Sequence, residues 1–310
     1  MKKYIFTSIA AFILASCAFG QNQVSLSQYM IYQPFINPSA LPTYQDLSIG
    51  LVHRSQWTGF SGAPKTNILS INTPIAKSNF NVGIGFQQEE IGITRTAAVF
   101  GNAAYKIKFD EKSYLSLGLS LGLNNFSYDF SQLNNSQSAS NGLDPATLRN
   151  LNSAMARFGM YFVKKKFYFT VFTPNLLNQG YTVTNMNARG STEFKLSNIH
   201  YYAQAGIGFP ISKKIEGNAS ALLKASSTIQ GDLNFQLLFN KIFGIGVSYR
   251  TNNEIVALVN VKLLDKLKIG YAYDYGNSNL RNVSNGTHEI LLSYVFAKKK
   301  EKAIIEVPRF

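Results

Sequence analysis

Cysteine is almost absent from this 310-residue chain, whose only copy is Cys17. It lies near the N-terminus, where a lysine pair precedes an apolar run from Ile5 to Ala15, a pattern that indicates a bacterial export signal over residues 1–20. Cleavage after Gly20 would leave a mature chain without cysteine and would exclude disulfides and thiol chemistry. Residues 14–17 also match a lipoprotein box, which would leave Cys17 lipidated; we favour the first cleavage, because short signals often contain Leu, Ala and Ser by chance.

Long apolar runs are also missing. After the N-terminal signal, no stretch approaches the roughly 20 apolar residues that a membrane-spanning helix needs, and the mean hydropathy is near zero at -0.04. A membrane protein with this profile would have to cross with strands, since alternation cancels in any window average. On composition alone, the alternative is a large secreted β-sandwich.

Residues that carry catalysis or bind metals are few. The three histidines, His53, His200 and His288, have no neighbours at metal-ligand spacing. There is no Gly-x-Ser-x-Gly nucleophile motif, and no helix-forming segment follows Gly83 and Gly85 to make a phosphate loop. We therefore expect no enzyme activity, no cofactor and no metal; the third hypothesis, a hydrolase site in an outer loop, lacks a nucleophile–base pair in the sequence.

The chain does contain segments in which apolar residues alternate with small or polar residues, with a period of two. Leu115 to Leu123 alternates leucine with Ser and Gly, and similar alternation recurs in residues 82–87, 243–250 and 267–276. Successive side chains of a strand point to opposite faces, so each segment has one apolar face and one small or polar face. Many such segments predict an all-β fold, a transmembrane antiparallel outer-membrane β-barrel with lipid outside and a polar lumen inside.

Fourteen strand segments can be marked, with bounds uncertain by about two to four residues. They cover roughly 45–54, 65–73, 79–88, 94–108, 112–128, 153–163, 166–173, 196–209, 214–226, 230–239, 242–250, 254–262, 266–276 and 286–297. The even number places both termini in the periplasm. Long connections at 55–64, 129–152, 174–195 and 277–285 then become extracellular loops, and the short ones become periplasmic turns.

The domain organisation follows from these segments. After the signal, 21–44 is predicted to be an irregular arm in the periplasm or the lumen, 45–297 the barrel, and 298–310 a basic periplasmic tail. The net charge of +14 suggests nucleic acid in other settings, but export makes that partner improbable. Most short turns carry or adjoin lysine, which we interpret as a contribution to solubility and topology.

One segment concentrates unusual residues and is a candidate partner-binding site. It runs from His53 to Pro64 and includes the only tryptophan; its candidate contact residues are His53, Arg54, Gln56, Trp57, Phe60 and Pro64. The alternative interpretation, which the sequence slightly favours, is an interfacial aromatic anchor with a turn.

The arm, with Ser27-Gln28-Tyr29-Met30 and Asn37-Pro38, and the segment Arg54-Ser55-Gln56-Trp57-Thr58-Gly59-Phe60 together resemble the PorP/SprF family. Gly62 to Thr66, His288-Glu289-Ile290 and the terminal Pro308-Arg309-Phe310 are similar to that family too. The chain departs from the family where Ser39-Ala40-Leu41-Pro42 follows Asn-Pro. The resemblance covers almost the full length, with its most specific motifs in the first seventy-five residues.

This resemblance implies an outer-membrane barrel of the Bacteroidota type IX secretion and gliding machinery. The implied role is to assist export or surface anchoring of a secreted adhesin, with that client, periplasmic type IX components and outer-membrane lipid as partners. Arg309 and Phe310 would then belong to a periplasmic contact. The alternatives are a core component linked to peptidoglycan-bound partners, and a stand-alone anion-preferring porin with Arg54, Arg157, Lys224, Arg250, Lys262 and Lys268 lining its lumen.

Overall fold

The computed structural model describes residues 25–128, 151–184, 187–195, 199–226, 228–264, 266–276 and 284–296. Its strands are β1 Ser48–Ser55, β2 Lys65–Pro74, β3 Phe80–Ile91, β4 Thr94–Asp110, β5 Ser113–Tyr128, β6 Leu151–Lys164, β7 Phe167–Thr173, β8 Asn178–Thr184, β9 Asn187–Glu193, β10 Tyr201–Pro210, β11 Ile215–Ala225, β12 Ile229–Phe239, β13 Phe243–Arg250, β14 Glu254–Leu263, β15 Leu267–Gly276 and β16 Thr287–Val295. Fourteen of these form a closed antiparallel barrel, in which β7 pairs with β10 and β16 pairs with β1. The predicted fold is confirmed.

The alternating residues of each strand lie on the two faces of the barrel wall, one facing outward and the other facing the lumen. In β5, Leu119, Leu121 and Leu123 are exposed on the outside, whereas Ser116 and Ser120 are buried towards the lumen. The other strands of the barrel follow the same alternation, so an apolar outer belt surrounds a polar interior, as lipid requires. Within the described part of the chain, no helix is long and apolar enough to cross a membrane.

The two ends of the barrel differ. One end carries the long connections, and we call it the outer rim because long loops of outer-membrane barrels are extracellular. The other end, the inner rim, has tight turns below a girdle of outward aromatic pairs, among them Phe80 with Tyr105 at 4.7 Å between ring centroids and Phe239 with Phe243 at 6.3 Å. Aromatic rings favour the membrane interface, so this girdle marks its inner boundary.

The connection 174–195 was predicted to be a loop, but part of it forms the separate β8–β9 hairpin. The reason is that β7 is shorter than β6. Strand β7 pairs with β6 only from Phe158 to Lys164, so the half of β6 nearer the outer rim has no ladder partner on that side. There the Ala154 N–H donates to Thr192 Oγ1 at 2.9 Å, and the Leu176 N–H donates to the Ala156 carbonyl at 2.8 Å. The hairpin region thus covers an open strand edge.

Not all predicted segments fall within the described residues. The signal 1–20, positions 21–24, most of the loop predicted at 129–152, and most of 277–285 lie outside them. The same holds for the tail 298–310, with Arg309 and Phe310, and for Cys17.

Residues 25–44 lie inside the barrel. Two short 3-10 helices, Gln33–Phe35 and Pro38–Thr43, shape this segment, which we call the plug. Proline near the start of each helix suits this geometry, and the Asn37 side chain accepts a bond from the Ser39 N–H at 3.0 Å. Almost every plug residue from Leu26 to Tyr44 is buried, so the plug fills the lumen.

A glycine of the wall allows the plug to approach closely. A Cβ on Gly118, which faces the lumen on β5, would collide with the backbone of Pro38 and Ser39. Gly101, on the lipid face of β4, has nothing within 4 Å of the same position. The contrast indicates that the plug can pack this closely against β5 only because Gly118 has no side chain.

We predict that Gly118→Val displaces the plug and lowers the free energy of unfolding by about 1–3 kcal/mol, the usual cost of overpacking. Urea unfolding of the detergent-folded protein measures the loss. Gly101→Val is the matched control and is expected to stay within about 0.5 kcal/mol of the parent. An equal loss in both variants would contradict the close packing.

Candidate functional site

The start of the plug is held by a carboxylate. Glu289 on β16 is fully buried, and its two oxygens accept hydrogen bonds from the Ser27 and Gln28 N–H groups at 2.7 and 2.8 Å. The Gln28 side chain also donates to the Glu289 backbone carbonyl at 3.1 Å. This carboxylate therefore satisfies two backbone groups of an irregular segment that has no ladder partner.

Two arginines reach the same point from two different strands, Arg54 from β1 and Arg250 from β13. Arg54 donates to the Ser27 hydroxyl at 2.7 Å and pairs with Asp274 at 2.7 Å and with Glu289 at 3.1 Å. Arg250 donates to the Ser27 hydroxyl at 2.9 Å and pairs with Asp274 at 3.1 Å. A single serine hydroxyl thus lies at the centre of a charged network, donating in turn to Asp274 at 2.6 Å.

The network extends along the outer half of the lumen. Lys224 pairs with Asp232 at 3.0 Å and contacts the Ser25 hydroxyl at 3.3 Å. Arg250 also pairs with Glu254 at 3.0 Å. We call the seven charged residues the outer clamp: Arg54, Lys224, Asp232, Arg250, Glu254, Asp274 and Glu289.

Below the clamp, neutral contacts fix the rest of the plug. The Asn234 side chain donates to the Tyr29 hydroxyl at 2.7 Å, and the Asn72 side chain donates to the Tyr32 hydroxyl at 2.8 Å. Asn37 donates to Thr170 on β7 at 2.8 Å. These bonds tie the plug to widely separated parts of the wall.

A further buried cation of the lumen, Arg157 on β6, also contacts the plug. Its guanidinium lies 4.3 Å from the centroid of the Phe100 ring and donates to the Phe35 carbonyl at 3.4 Å. A cation over an aromatic face is stabilised even where water is scarce. Lys262 and Lys268, the other cations named for a pore, lie near the inner rim on the lumen-facing phase of their strands.

The predicted contact segment divides between three environments. Arg54 faces the lumen and belongs to the clamp, whereas His53 faces outward and bonds Asn67 at 2.8 Å. The Gln56 N–H donates to the Pro64 carbonyl at 2.9 Å and closes the first outer loop. Phe60 is 49% exposed at the tip of this loop.

Trp57 is tied to the last outer connection. The Trp57 backbone N–H donates to Thr287 Oγ1 at 3.1 Å. The Thr58 backbone N–H donates to the Gly286 carbonyl at 2.8 Å, and the Thr58 carbonyl accepts from the Asn285 N–H at 2.7 Å. The first and last outer segments of the barrel therefore form one unit above the β1–β16 closure.

The remaining histidines have separate surroundings. His288 bonds the Tyr271 hydroxyl at 2.7 Å on the outer face of the wall. His200 precedes β10 and is buried, and this burial lowers its pKa below the usual value, which favours the neutral ring.

Sequence reasoning missed the clamp carboxylates as a group. Asp274 lies on the small or polar face of the alternating segment 267–276, and this is the signal that the sequence offers, because an acid at a lumen position requires a partner. Glu289 appeared only within a family-like motif. Neither could be joined to Ser27 without knowing that the plug enters the lumen.

Comparisons with known proteins agree with this architecture. The model of a family described as type IX secretion system membrane protein PorP/SprF matches residues 18–294. Among solved structures, the CymD monoaromatic hydrocarbon channel is similar at a TM-score of 0.51 and 12% identity, over 91% of this chain and 96% of that one. The outer membrane protein Omp33 of Acinetobacter baumannii is similar at a TM-score of 0.44 and 10% identity, over 81% and 99%. No curated protein matches the sequence.

We predict that Arg54→Met weakens the attachment of the plug by about 3–5 kcal/mol, because it leaves two buried carboxylates short of a partner. Urea unfolding, together with amide hydrogen exchange at Ser27 and Gln28, measures this loss. Arg95→Met is the control, since the exposed Arg95–Glu90 pair at 3.6 Å is worth no more than about 1 kcal/mol. Unchanged protection of the Ser27 and Gln28 amides in Arg54→Met would refute the clamp.

Proposed function

Because the chain belongs to the PorP/SprF family of type IX secretion system membrane proteins, we propose that this outer-membrane barrel assists the export or the cell-surface anchoring of a secreted adhesin. In this role the barrel is a closed platform whose rims contact other proteins. The adhesin is its client on the outer side, and type IX components are its partners on the inner side.

The observation that carries the proposal is the filled lumen. The plug runs from the clamp at the outer rim to the start of β1 at the inner rim, buried along almost its whole length. A folded or extended client would have to displace it to pass through the barrel. Contacts on the rims require no such displacement, so they are the simpler way for this barrel to handle a protein.

The outer rim has suitable features for such a contact. Phe60 is exposed on a loop whose backbone is fixed at both ends, and the neighbouring connection is bonded to it through Thr58. Exposed aromatic side chains on a fixed backbone are typical anchors of protein interfaces. This is the reason for preferring a secreted client as the main partner.

The core-component alternative is favoured by a different observation, at the inner rim. Leu264 is 90% exposed in the turn before β15, and Ile211 and Ile242 are exposed in two other inner turns; each of the three turns also contains lysine. Exposed aliphatic side chains beside basic residues also suit a periplasmic protein contact.

The porin alternative is weakened by the pairing of the lumen cations. Arg54, Lys224 and Arg250 are in ion pairs with buried carboxylates, and Arg157 contacts the plug. Cations that are already neutralised do not attract anions into a channel, since their field is compensated locally.

We predict that the protein, extracted from its native outer membrane in mild detergent, brings with it a secreted surface protein in stoichiometric amount. Phe60→Ala is expected to lower the recovery of that protein several-fold, because an interface anchor is removed. Leu264→Ala is the matched control on the inner rim and should leave its recovery unchanged. Recovery of periplasmic components alone, sensitive to Leu264→Ala, would instead establish the core-component role.

We also predict that the intact chain shows no steady conductance in planar bilayers, because the plug fills the lumen. A variant lacking residues 25–39 is expected to conduct, provided that its heat-modifiable migration shows a folded barrel. Steady, anion-selective conductance of the intact chain would overturn the closed platform and favour the porin.

A further inference from the structure

A groove crosses the outward face of the barrel wall, on strands β7, β10, β11, β12 and β13. Its volume is about 610 Å³, within the range of roughly 300–1,000 Å³ that is usual for small-molecule sites. Ala205, Ala219 and Ala221 form its floor, and larger exposed side chains such as Phe167 and Phe235 flank them. The outward side chains of its lining are all apolar or aromatic, and we call this feature the wall groove.

The register of the strands fixes the course of the wall groove. Phe167 is the first residue of β7, at the inner rim, whereas Phe235 lies four residues before the inner end of β12. The groove therefore begins at the inner rim and climbs obliquely into the apolar belt. Its four steps between neighbouring strands, at about 4.8 Å each, span about 19 Å. One ladder row joins five residues of its lining in order: Phe167, Ile207, Ala219, Phe235 and Val247.

A lysine lies directly beside the inner end of the wall groove. Lys164, the last residue of β6, is the cross-strand partner of Phe167, and both side chains are exposed on the outward face. Direct partners of an antiparallel pair have Cβ atoms about 4.5–5.5 Å apart. Two residues before Lys164, the Phe162 ring packs against Phe109 in the aromatic girdle. The Lys164 ammonium group therefore lies at the level of the lipid headgroups.

This lysine belongs to a group of lysines in three neighbouring inner turns, which backbone hydrogen bonds tie together. The Gly208 N–H donates to the Lys166 carbonyl at 3.0 Å, and the Asn240 N–H donates to the Lys214 carbonyl at 2.7 Å. We call the lysines of these turns the inner cluster. It consists of Lys164, Lys165, Lys166, Lys213, Lys214 and Lys241.

The charge of the inner cluster is only slightly compensated. Glu216 is the one acid in segments 164–166, 211–216 and 240–242, all of which the structure describes. It lies 3.6 Å from the Lys241 ammonium group and 4.0 Å from that of Lys166, so two lysines share one carboxylate. Six lysines and one carboxylate leave a formal excess of five positive charges.

The backbone of these turns also distinguishes the inner cluster. Lys165 and Lys241 have φ angles of 56° and 58°, in the left-handed region that favours glycine or asparagine. The chain thus carries lysine at two turn positions where glycine would be the easier residue. This placement adds positive charge at the inner end of the wall groove.

We propose that the wall groove and the inner cluster together bind one anionic phospholipid of the periplasmic leaflet. An acyl chain lies in the groove, whose course of about 19 Å is long enough for the roughly 15 Å that one leaflet contributes to the hydrocarbon core. The phosphate lies at the inner cluster, where lysines attract anionic headgroups. An acidic protein would also meet these lysines, but it would make no use of an apolar groove that faces lipid. The inference does not depend on the client role.

Native mass spectrometry of the purified, detergent-folded barrel tests the proposal. The protein is titrated with phosphatidylglycerol and, separately, with phosphatidylcholine that has the same acyl chains. We expect the first phosphatidylglycerol to bind about tenfold more tightly than phosphatidylcholine, because only its headgroup carries a net negative charge. The preference is expected to narrow as the ammonium acetate concentration is raised, since salt screens exposed charges.

A pair of double variants tests the inner cluster. Lys164→Gln/Lys165→Gln is expected to weaken phosphatidylglycerol binding about tenfold or more, since each lysine near an anionic headgroup contributes about fivefold in affinity. Lys65→Gln/Arg95→Gln removes the same charge from exposed positions near the outer rim and should bind like the parent. Heat-modifiable migration shows whether each variant is a folded barrel.

A second pair of variants tests the wall groove without changing the charge. Ala219→Phe fills the groove and is expected to weaken phosphatidylglycerol binding several-fold, because the acyl chain loses its site. Ala103→Phe places the same ring on the outward face of β4, away from the groove, and should bind like the parent.

Each contrary result overturns the proposal. Equal binding of the two lipids would exclude an anionic site, and undiminished binding by folded Lys164→Gln/Lys165→Gln would exclude the inner cluster. An equal loss in Lys65→Gln/Arg95→Gln would reduce the preference to an effect of total charge. Undiminished binding by folded Ala219→Phe would exclude the groove. A periplasmic protein recovered from native membranes by the parent but not by Lys164→Gln/Lys165→Gln, with no lipid preference, would identify an acidic protein as the occupant.

Discussion

The requirement that hydrocarbon leaves no backbone polar group unpaired governs this molecule. It is met by closure, in which β16 pairs with β1 from Ser48↔Val295 to Ser55↔His288 and removes the last free edge. Closure forces every strand to present one face to lipid and the other to an interior. The interior face carries polar and charged side chains, and these in turn need partners that lipid cannot supply.

The plug satisfies that second requirement. An irregular segment has many unpaired backbone groups, and a polar lumen has many unpaired side chains, so each supplies what the other lacks. At Glu289 a wall carboxylate accepts two plug N–H groups, and at Ser27 a plug hydroxyl meets two wall arginines. The fixed plug explains why cations that would suit an anion channel are engaged in structural ion pairs instead.

The strands could be predicted from the sequence because their period of two is a local property, visible in Leu115 to Leu123 without any knowledge of contacts. The β8–β9 hairpin could not, since it depends on β7 being shorter than β6, which only the assembled wall reveals. The sequence does not decide whether the arm 21–44 lies in the periplasm or in the lumen, because 3-10 turns carry no periodicity that identifies a buried face. The cluster around Trp57 was found by composition, but the role of Arg54 in the clamp depended on Ser27, Asp274 and Glu289, which are 27 to 235 residues away along the chain.

A channel and a protein platform make opposite demands on these charges. A channel needs cations exposed to a water-filled path, with few strong partners, so that ions enter and leave. A platform needs a rigid rim, and buried ion pairs among strands β1, β13, β15 and β16, together with the hydrogen bonds of Ser27 in the plug, connect the wall from inside. Because such pairs offset their own desolvation only when all partners remain in place, the network favours one arrangement over many. The outer loops bonded through Thr58 then rest on a wall that holds its shape, which is the condition for recognising a partner at the rim.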